Sequence, residues 1–319
     1  MQTQGSDCST GYYFETVSTV SEFMQYIESS AKQLKSDLNR DEYLAFRGQS
    51  SCEYSLSPSL ARELKHRKDI QMLHFEKELV YSAQHEHPKE FLNVNSPVEL
   101  LIRLQHYGIP TRLLDITTNA LVALYFACCS NTEKDGEVFI LKLKRDYHWN
   151  DYLSELIADT YRLDISEKSI KQYYDTLCLQ PYYKTVCSND ESLSDEENEN
   201  YRWYDFRTNL DNAYNNPIVI QPPQTFARLN AQGGQFLLFS NDLCYDSKNI
   251  PVEIDSSISP LSKTHNFVKL ILRVPSNCKE KIIKDLEVLG ISRSSLFHDN
   301  IDVVCEEIVK RINNRTRNF

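Results

Sequence analysis

"IPTRLLDITTNALVALYFACCS", Ile109 to Ser130, joins a short extended piece to a segment whose apolar residues surround a helix almost completely. A helix that is apolar on every side lies in the core, so this stretch predicts a strand leading straight into a buried helix. Downstream, "KDG" turns the chain into the strand "EVFILKL". Upstream, Ser96-Pro97-Val98-Glu99 sets a cap, a proline at the first helical position and a returning glutamate in order. The helix "VELLIRLQHY" that follows should end at Gly108 in a left-handed cap.

Further out, Thr19-Val20-Ser21-Glu22 fits a capping box and opens a helix to about Leu38, and "EYLAF" reads as a strand. "SLSPSLAR" is a loop with leucines pinned inward, and a second helix is expected over Asp69 to Gln84. "DYLSELIADTYRL" and "IKQYYDTLCL" have helical patterns, whereas "SNDESLSDEENEN", Ser188 to Asn200, reads as a solvated loop. Core patterns return in "PIVIQPP", "TFARLNAQGGQFLLFS" and "FVKLILRVP", and two helices, "CKEKIIKDLEVLG" and "NIDVVCEEIVKRI", close the chain. The expected class is α+β, a small mixed sheet flanked by helices. Its parts are an N-terminal helical segment (1–40), a first core half (41–146), a helical and acidic insertion or lid (147–216), and a second core half with C-terminal helices (217–319).

The 319 residues are 41% hydrophobic, enough for a substantial core. A formal charge of -10 argues against tracking nucleic-acid phosphates over a long surface, although a local basic pocket for one small anion is compatible with it. No run reaches the roughly 20 apolar residues of a membrane helix, and the first residues lack a signal-peptide pattern, so a soluble cytoplasmic protein with no membrane partner is expected. Nine scattered cysteines without C-x-x-C pairs read as reduced, buried thiols, with no metal site.

Three places set polar side chains directly against apolar segments: Arg47-Gly48-Gln49; Gln105-His106-Tyr107-Gly108 with Thr111, Arg112 and Asp115; and Arg228 with Gln232-Gly233-Gly234-Gln235. Each residue taken alone fits an internal role, with Arg47 or Arg112 paired to Asp115, Gln232 tying down a loop and the glycines making turns. Together, three arginines face one evident carboxylate, which leaves guanidinium groups for an anion supplied by a ligand. Gly48, Gly233 and Gly234, three of the chain's 8 glycines, stand beside the arginines and glutamines, where glycine would let a backbone approach a ligand. His106 fits ordinary packing, and Tyr107 fits either packing or stacking on a planar ring.

"YLAFRGQSSCEYSLSPSLAR", "LQHYGIPTRLLDITTNALVALYFA", "ARLNAQGGQF" and "LEVLGISRSSLFHD" resemble, in order, the successive blocks of the FRG domain family, which occurs mainly in bacteria and phages. The resemblance spreads over Tyr43 to Ile312. Ile116 departs from it where tryptophan is usual, as does His298 where proline is usual. It implies a site at the motif residues without fixing a reaction.

A strand ending in arginine, a second strand followed at once by a buried helix carrying Tyr125, and a late strand led by a glutamine-glycine turn also resemble the layout of ADP-ribosyltransferases. That likeness implies an NAD-consuming enzyme, an ADP-ribosyltransferase or NAD glycohydrolase acting as a toxin or antiviral effector. Arg47, Asp115 and Gln232 would be catalytic, and Arg47, Gly48, Gln49, Tyr107, Thr111, Arg112, Tyr125 and Arg228 would hold NAD. Asp115 would stabilise positive charge on the ribose, and Gln232 would orient a hydroxyl, compatible with transfer to a macromolecular acceptor. The alternative is a module that senses a nucleotide-type or other phosphorylated ligand, or answers to a regulatory partner, without catalysis. A nuclease built on His85-Glu86-His87 is disfavoured, because two histidines two apart point to different sides of a helix.

Overall fold

The computed structural model describes residues 4–6, 11–36, 41–64, 67–91, 94, 96–144, 152–162, 169–179, 194, 200, 203, 214–222 and 227–297. In chain order the strands are β1 (Gln4–Ser6), β2 (Tyr13–Thr16), β3 (Glu42–Gln49), β4 (Glu63–Leu64), β5 (Arg67–Gln71), β6 (Leu113–Thr117), β7 (Gly136–Lys144), β8 (Ile218–Ile220), β9 (Gly234–Leu238), β10 (Leu243–Tyr245), β11 (Pro251–Ile254) and β12 (Val268–Val274). The helices are α1 (Val20–Ser36), α2 (Glu76–Glu86), α3 (Pro88–Phe91), α4 (Pro97–His106), α5 (Ala120–Cys128), α6 (Tyr152–Ala158), α7 (Ile170–Cys178), α8 (Ala227–Gln232), α9 (Lys279–Val288) and α10 (Arg293–Leu296).

The class is α+β, but the sheet is not small. Eight strands run in the order β1-β2-β12-β7-β3-β6-β9-β8, with β2 and β12 parallel and the other neighbours antiparallel. The N-terminal segment therefore supplies two sheet strands as well as a helix. Thr19 caps that helix, accepting from the Glu22 amide at 3.1 Å, while the Glu22 carboxylate accepts from the Ser18 amide at 2.8 Å.

The opening stretch folds as its pattern predicts. β6 lies inside the sheet, and α5 packs on β3 with Val122, Ala123, Leu124 and Ala127 wholly buried. Asn119 begins this helix, its carboxamide oxygen accepting from the Leu121 amide at 3.0 Å. α4 starts at Ser96, whose hydroxyl accepts from the Glu99 amide at 3.1 Å, and ends before Gly108, whose φ is +84°.

Two expectations need correction. The helix placed over Asp69 to Gln84 starts only at Glu76, because Arg67–Gln71 is a strand paired with β4. The Gln71 carboxamide fixes that extended backbone by bonding both the carbonyl (3.1 Å) and the amide (3.0 Å) of Ile258. The second correction concerns 147–216, of which the described helices are built into the core. Leu156, Ile157 and Ala158 of α6 are wholly buried in a cluster shared with α4, β8 and β9, which is no place for a lid. Of the acidic stretch Ser188 to Asn200 only Ser194 and Asn200 are described; His298 and the last expected helix lie outside the described residues.

α6 also caps α4. The Glu155 carboxylate accepts from the Ser96 hydroxyl (2.5 Å) and the Val98 amide (3.0 Å). Burial nevertheless pushes its pKa up to about 7, against the lowering effect of those two bonds and with Asp159 and Glu99 adding to the rise. In the unfolded chain the same group titrates near about 4.3. Between those values the folded state keeps a proton that the unfolded state has lost, so Glu155 makes stability fall as pH rises from about 4 to about 7. Glu155→Gln should flatten that part of the profile relative to the parent protein, as read from urea midpoints at about pH 5, 6 and 7.5; an unchanged slope would refute this.

Candidate functional site

The site grows out of an interrupted ladder. β3 pairs with β7 along its whole length, from Glu42 opposite Lys144 to Gln49 opposite Glu137. Its pairing with β6 is confined to Phe46 opposite Thr117, beyond which the two strands part. Arg47 reaches into the split and donates from Nη1 to the carbonyl of Asp115, which an intact ladder would have satisfied through a backbone amide.

Two adjoining cavities, about 200 and 180 Å³, open at this split and share Arg47, Asp115, Arg228, Leu229 and Gln232 as walls. The first adds Arg62, Ser59, Gln105 and His106, and the second adds Phe46, Phe126 and Gln235. Three guanidinium groups thus meet one carboxylate, in a protein whose overall charge is negative. Burial pulls the Arg47 guanidinium below its usual range, Asp115 opposes that shift, and the like charge of Arg62 adds to it. The Arg47 Nε is buried and has no hydrogen-bond partner among the described residues.

Asp115 is set by a chain of hydrogen bonds. The Thr111 hydroxyl donates to the Gln105 carboxamide oxygen, which leaves the Gln105 amide group to donate to Asp115 Oδ1 at 2.9 Å. On the far wall the Arg228 guanidinium lies over the Phe297 ring, 4.5 Å from its centroid, and Gln232 Nε2 donates to the Leu296 carbonyl at 3.1 Å. The Gln232 carbonyl accepts from the Thr117 hydroxyl at 2.6 Å, tying α8 to β6.

Arg47, Asp115, Gln232 and Arg228 therefore converge, and they do so because β3, β6 and β9 are consecutive in the sheet. Thr111 is buried behind them and reaches Asp115 through Gln105. Arg112 does not join them. It is wholly buried, and its guanidinium is bonded to the Glu76 carboxylate from Nε (2.8 Å) and Nη2, and to the Phe239 carbonyl (3.3 Å) and Asn241 Oδ1 (3.0 Å) from Nη1.

Gln49 also turns elsewhere, donating to the Tyr54 carbonyl at 2.9 Å and lying 3.5 Å from Glu137. Glu137 is a fully buried carboxylate held by Lys263 (2.6 Å), Arg273 (3.1 Å) and the Tyr12 hydroxyl (2.8 Å). Gly48 borders the second cavity, but the backbone of α5 occupies the space above it, so its missing side chain serves helix packing and not ligand approach. Tyr125 is buried in the α5 core, and its neighbour Phe126 is the ring that faces the cleft. Tyr107 is 53% exposed and bonds Glu90 at 2.6 Å in a different groove.

The cleft side chains that motif reading missed are Arg62, Phe126 and His106, the last having been assigned to packing. Arg62 ends the pinned "SLSPSLAR" loop, and that position directly after a buried turn was the available signal.

Residues 42–136 match the FRG domain family. The chain carries an FRG domain. No curated protein and no solved structure gives a significant match. The matched stretch runs from the first residue of β3 to the first residue of β7, so the FRG match contains Arg47, Arg62, Gln105, His106 and Asp115. Arg228 and Gln232 come from outside it and close the FRG cleft from the α8 side.

Proposed function

We propose that the FRG domain binds NAD in the split between β3 and β6 and breaks its nicotinamide–ribose bond. The ADP-ribosyl group passes to water or to an acceptor. The observation that carries this reading is the pair of adjoining compartments divided by Arg47 and Asp115. Arg47 and Arg228 line both compartments and Arg62 only the first, so the first, with three forked guanidinium donors, suits the diphosphate oxygens. The compartment walled by Phe46 and Phe126 suits the planar nicotinamide.

Asp115 then stands between them, where the ribose lies. As the bond from C1′ to the ring nitrogen breaks, the electron pair leaves with nicotinamide and positive charge develops on the sugar. A carboxylate fixed by Gln105 stabilises that charge without reorganising. Addition of a hydroxyl oxygen to C1′, with loss of its proton, completes the step.

A second reading, ligand sensing without turnover, is favoured by one fact: Asp115 is the single carboxylate lining the cleft among the described residues, and it already accepts a hydrogen bond. Incubation with NAD followed by chromatography of the products separates the two. Release of nicotinamide, lowered about a hundredfold in Asp115→Asn, a loss of the size typical for one charge-stabilising group, supports cleavage. NAD recovered intact while still raising the melting temperature supports sensing, and neither result would sink both. Arg47→Gln should weaken NAD binding about tenfold or more, the usual cost of a lost charge-assisted hydrogen bond, as measured by calorimetric titration.

A further inference from the structure

A second concavity of about 920 Å³ runs along α2 on the other side of the α4–β6 turn. Its floor is apolar, with Phe75, Leu79, Ala83, Phe91 and Ile109, and Phe75 is 40% exposed. α2 buries Val80 and Glu76 toward the core and turns the stripe Phe75, Leu79, Ser82, Ala83 and Glu86 outward, at the spacing of one helical face. Its 11 residues make a groove about 16 Å long, three turns of helix.

Every acidic or basic side chain lining this groove, apart from His87, is a glutamate: Glu78, Glu86 and Glu90, all exposed. No lysine or arginine lines it among the described residues. An apolar floor with an acidic rim fits a helix that carries apolar residues on one face and lysines or arginines beside them. Ser82 and Ala83 are small enough to let a helix approach closely.

We infer that this groove docks a basic amphipathic helix of a partner polypeptide. The groove is continuous with the cleft through one wall, because Ile109 lines both, while Tyr107 faces the groove and His106 and Gly108 face the cleft. A docked helix therefore rests on the turn that forms one side of the arginine site. The inference does not depend on NAD being the ligand, since its test contains no nucleotide.

The probe is a dye-labelled 18-residue synthetic peptide of leucine and lysine, with leucines at helical i, i+3, i+4 and i+7 spacing, followed by fluorescence anisotropy. Saturable one-to-one binding is expected, at least tenfold weaker for the same peptide with glutamate in place of lysine. Ser82→Arg, at an exposed groove position, and Leu79→Ala should each weaken binding at least tenfold. Glu78→Gln/Glu86→Gln should weaken it, whereas Glu280→Gln/Glu287→Gln on α9, the same change in net charge away from the groove, should not. Equal loss in both double variants, indifference to Ser82→Arg and Leu79→Ala, or equal binding of the glutamate peptide would overturn the inference. So would self-association of the protein that Ser82→Arg abolishes and the lysine peptide fails to compete away.

Discussion

Gly48→Ala is expected to destabilise the protein by at least about 3 kcal/mol, at the upper end of overpacking costs. An added Cβ would stand 1.7 Å from the Ala123 carbonyl oxygen, 2.7 Å from its carbon and 2.9 Å from the Ala127 amide nitrogen. All three are backbone atoms of α5, so no side-chain rotation relieves the contact. The helix would have to lift off β3, and with it Val122, Leu124 and Ala127, which are wholly buried. Gly108→Ala is the comparison: no atom of the described residues lies within 4 Å, and only the positive φ of +84° is strained, at about 1 kcal/mol. Urea unfolding of the two variants checks this. A Gly48→Ala midpoint equal to that of the parent would mean that α5 does not sit on β3 this closely.

The second large effect concerns Arg112. Replacing it with methionine should cost about 3–5 kcal/mol, because it strands the Glu76 carboxylate, itself 5% exposed, without its partner. Arg112→Met combined with Glu76→Leu should recover much of that loss, since a buried ion pair is often replaceable by apolar packing. Arg47→Gln should shift the urea midpoint far less, because among the described residues Arg47 makes a single hydrogen bond, to a carbonyl. The two arginines therefore separate by what they lose: Arg112 variants lose the fold, and Arg47 variants keep the fold and lose ligand. A double variant no more stable than Arg112→Met alone would contradict the pairing.

The contrast marks where the sequence was informative. Signals contained in a few neighbouring residues held: the Ser96 cap, the turn at Gly108, the all-round apolar α5 and the strand ahead of Arg47. The convergence of Arg47, Asp115 and Gln232 was also legible, because each sits in a strand or just ahead of one and those strands are neighbours. What failed were assignments that depend on distant partners. Arg112 looked available because its nearest carboxylate in sequence is Asp115, yet its partner is Glu76, 36 residues away. Gln49 looked like a ligand donor, but it belongs to the network of Glu137, 88 residues away. Gly48 looked like a gap for a ligand and is filled by a helix. The lid alternative for 147–216 rested on how polar its acidic part is, whereas Leu156 and Ile157 are core residues.

The most direct test is a crystal structure of the protein soaked with ADP-ribose, which carries the diphosphate and both riboses but no bond to cleave. The expected density places the diphosphate between Arg47, Arg62 and Arg228, with a ribose against Asp115. Density in another part of the molecule, or an empty cleft at saturating ligand with Arg47 still bonded to the Asp115 carbonyl, would contradict it.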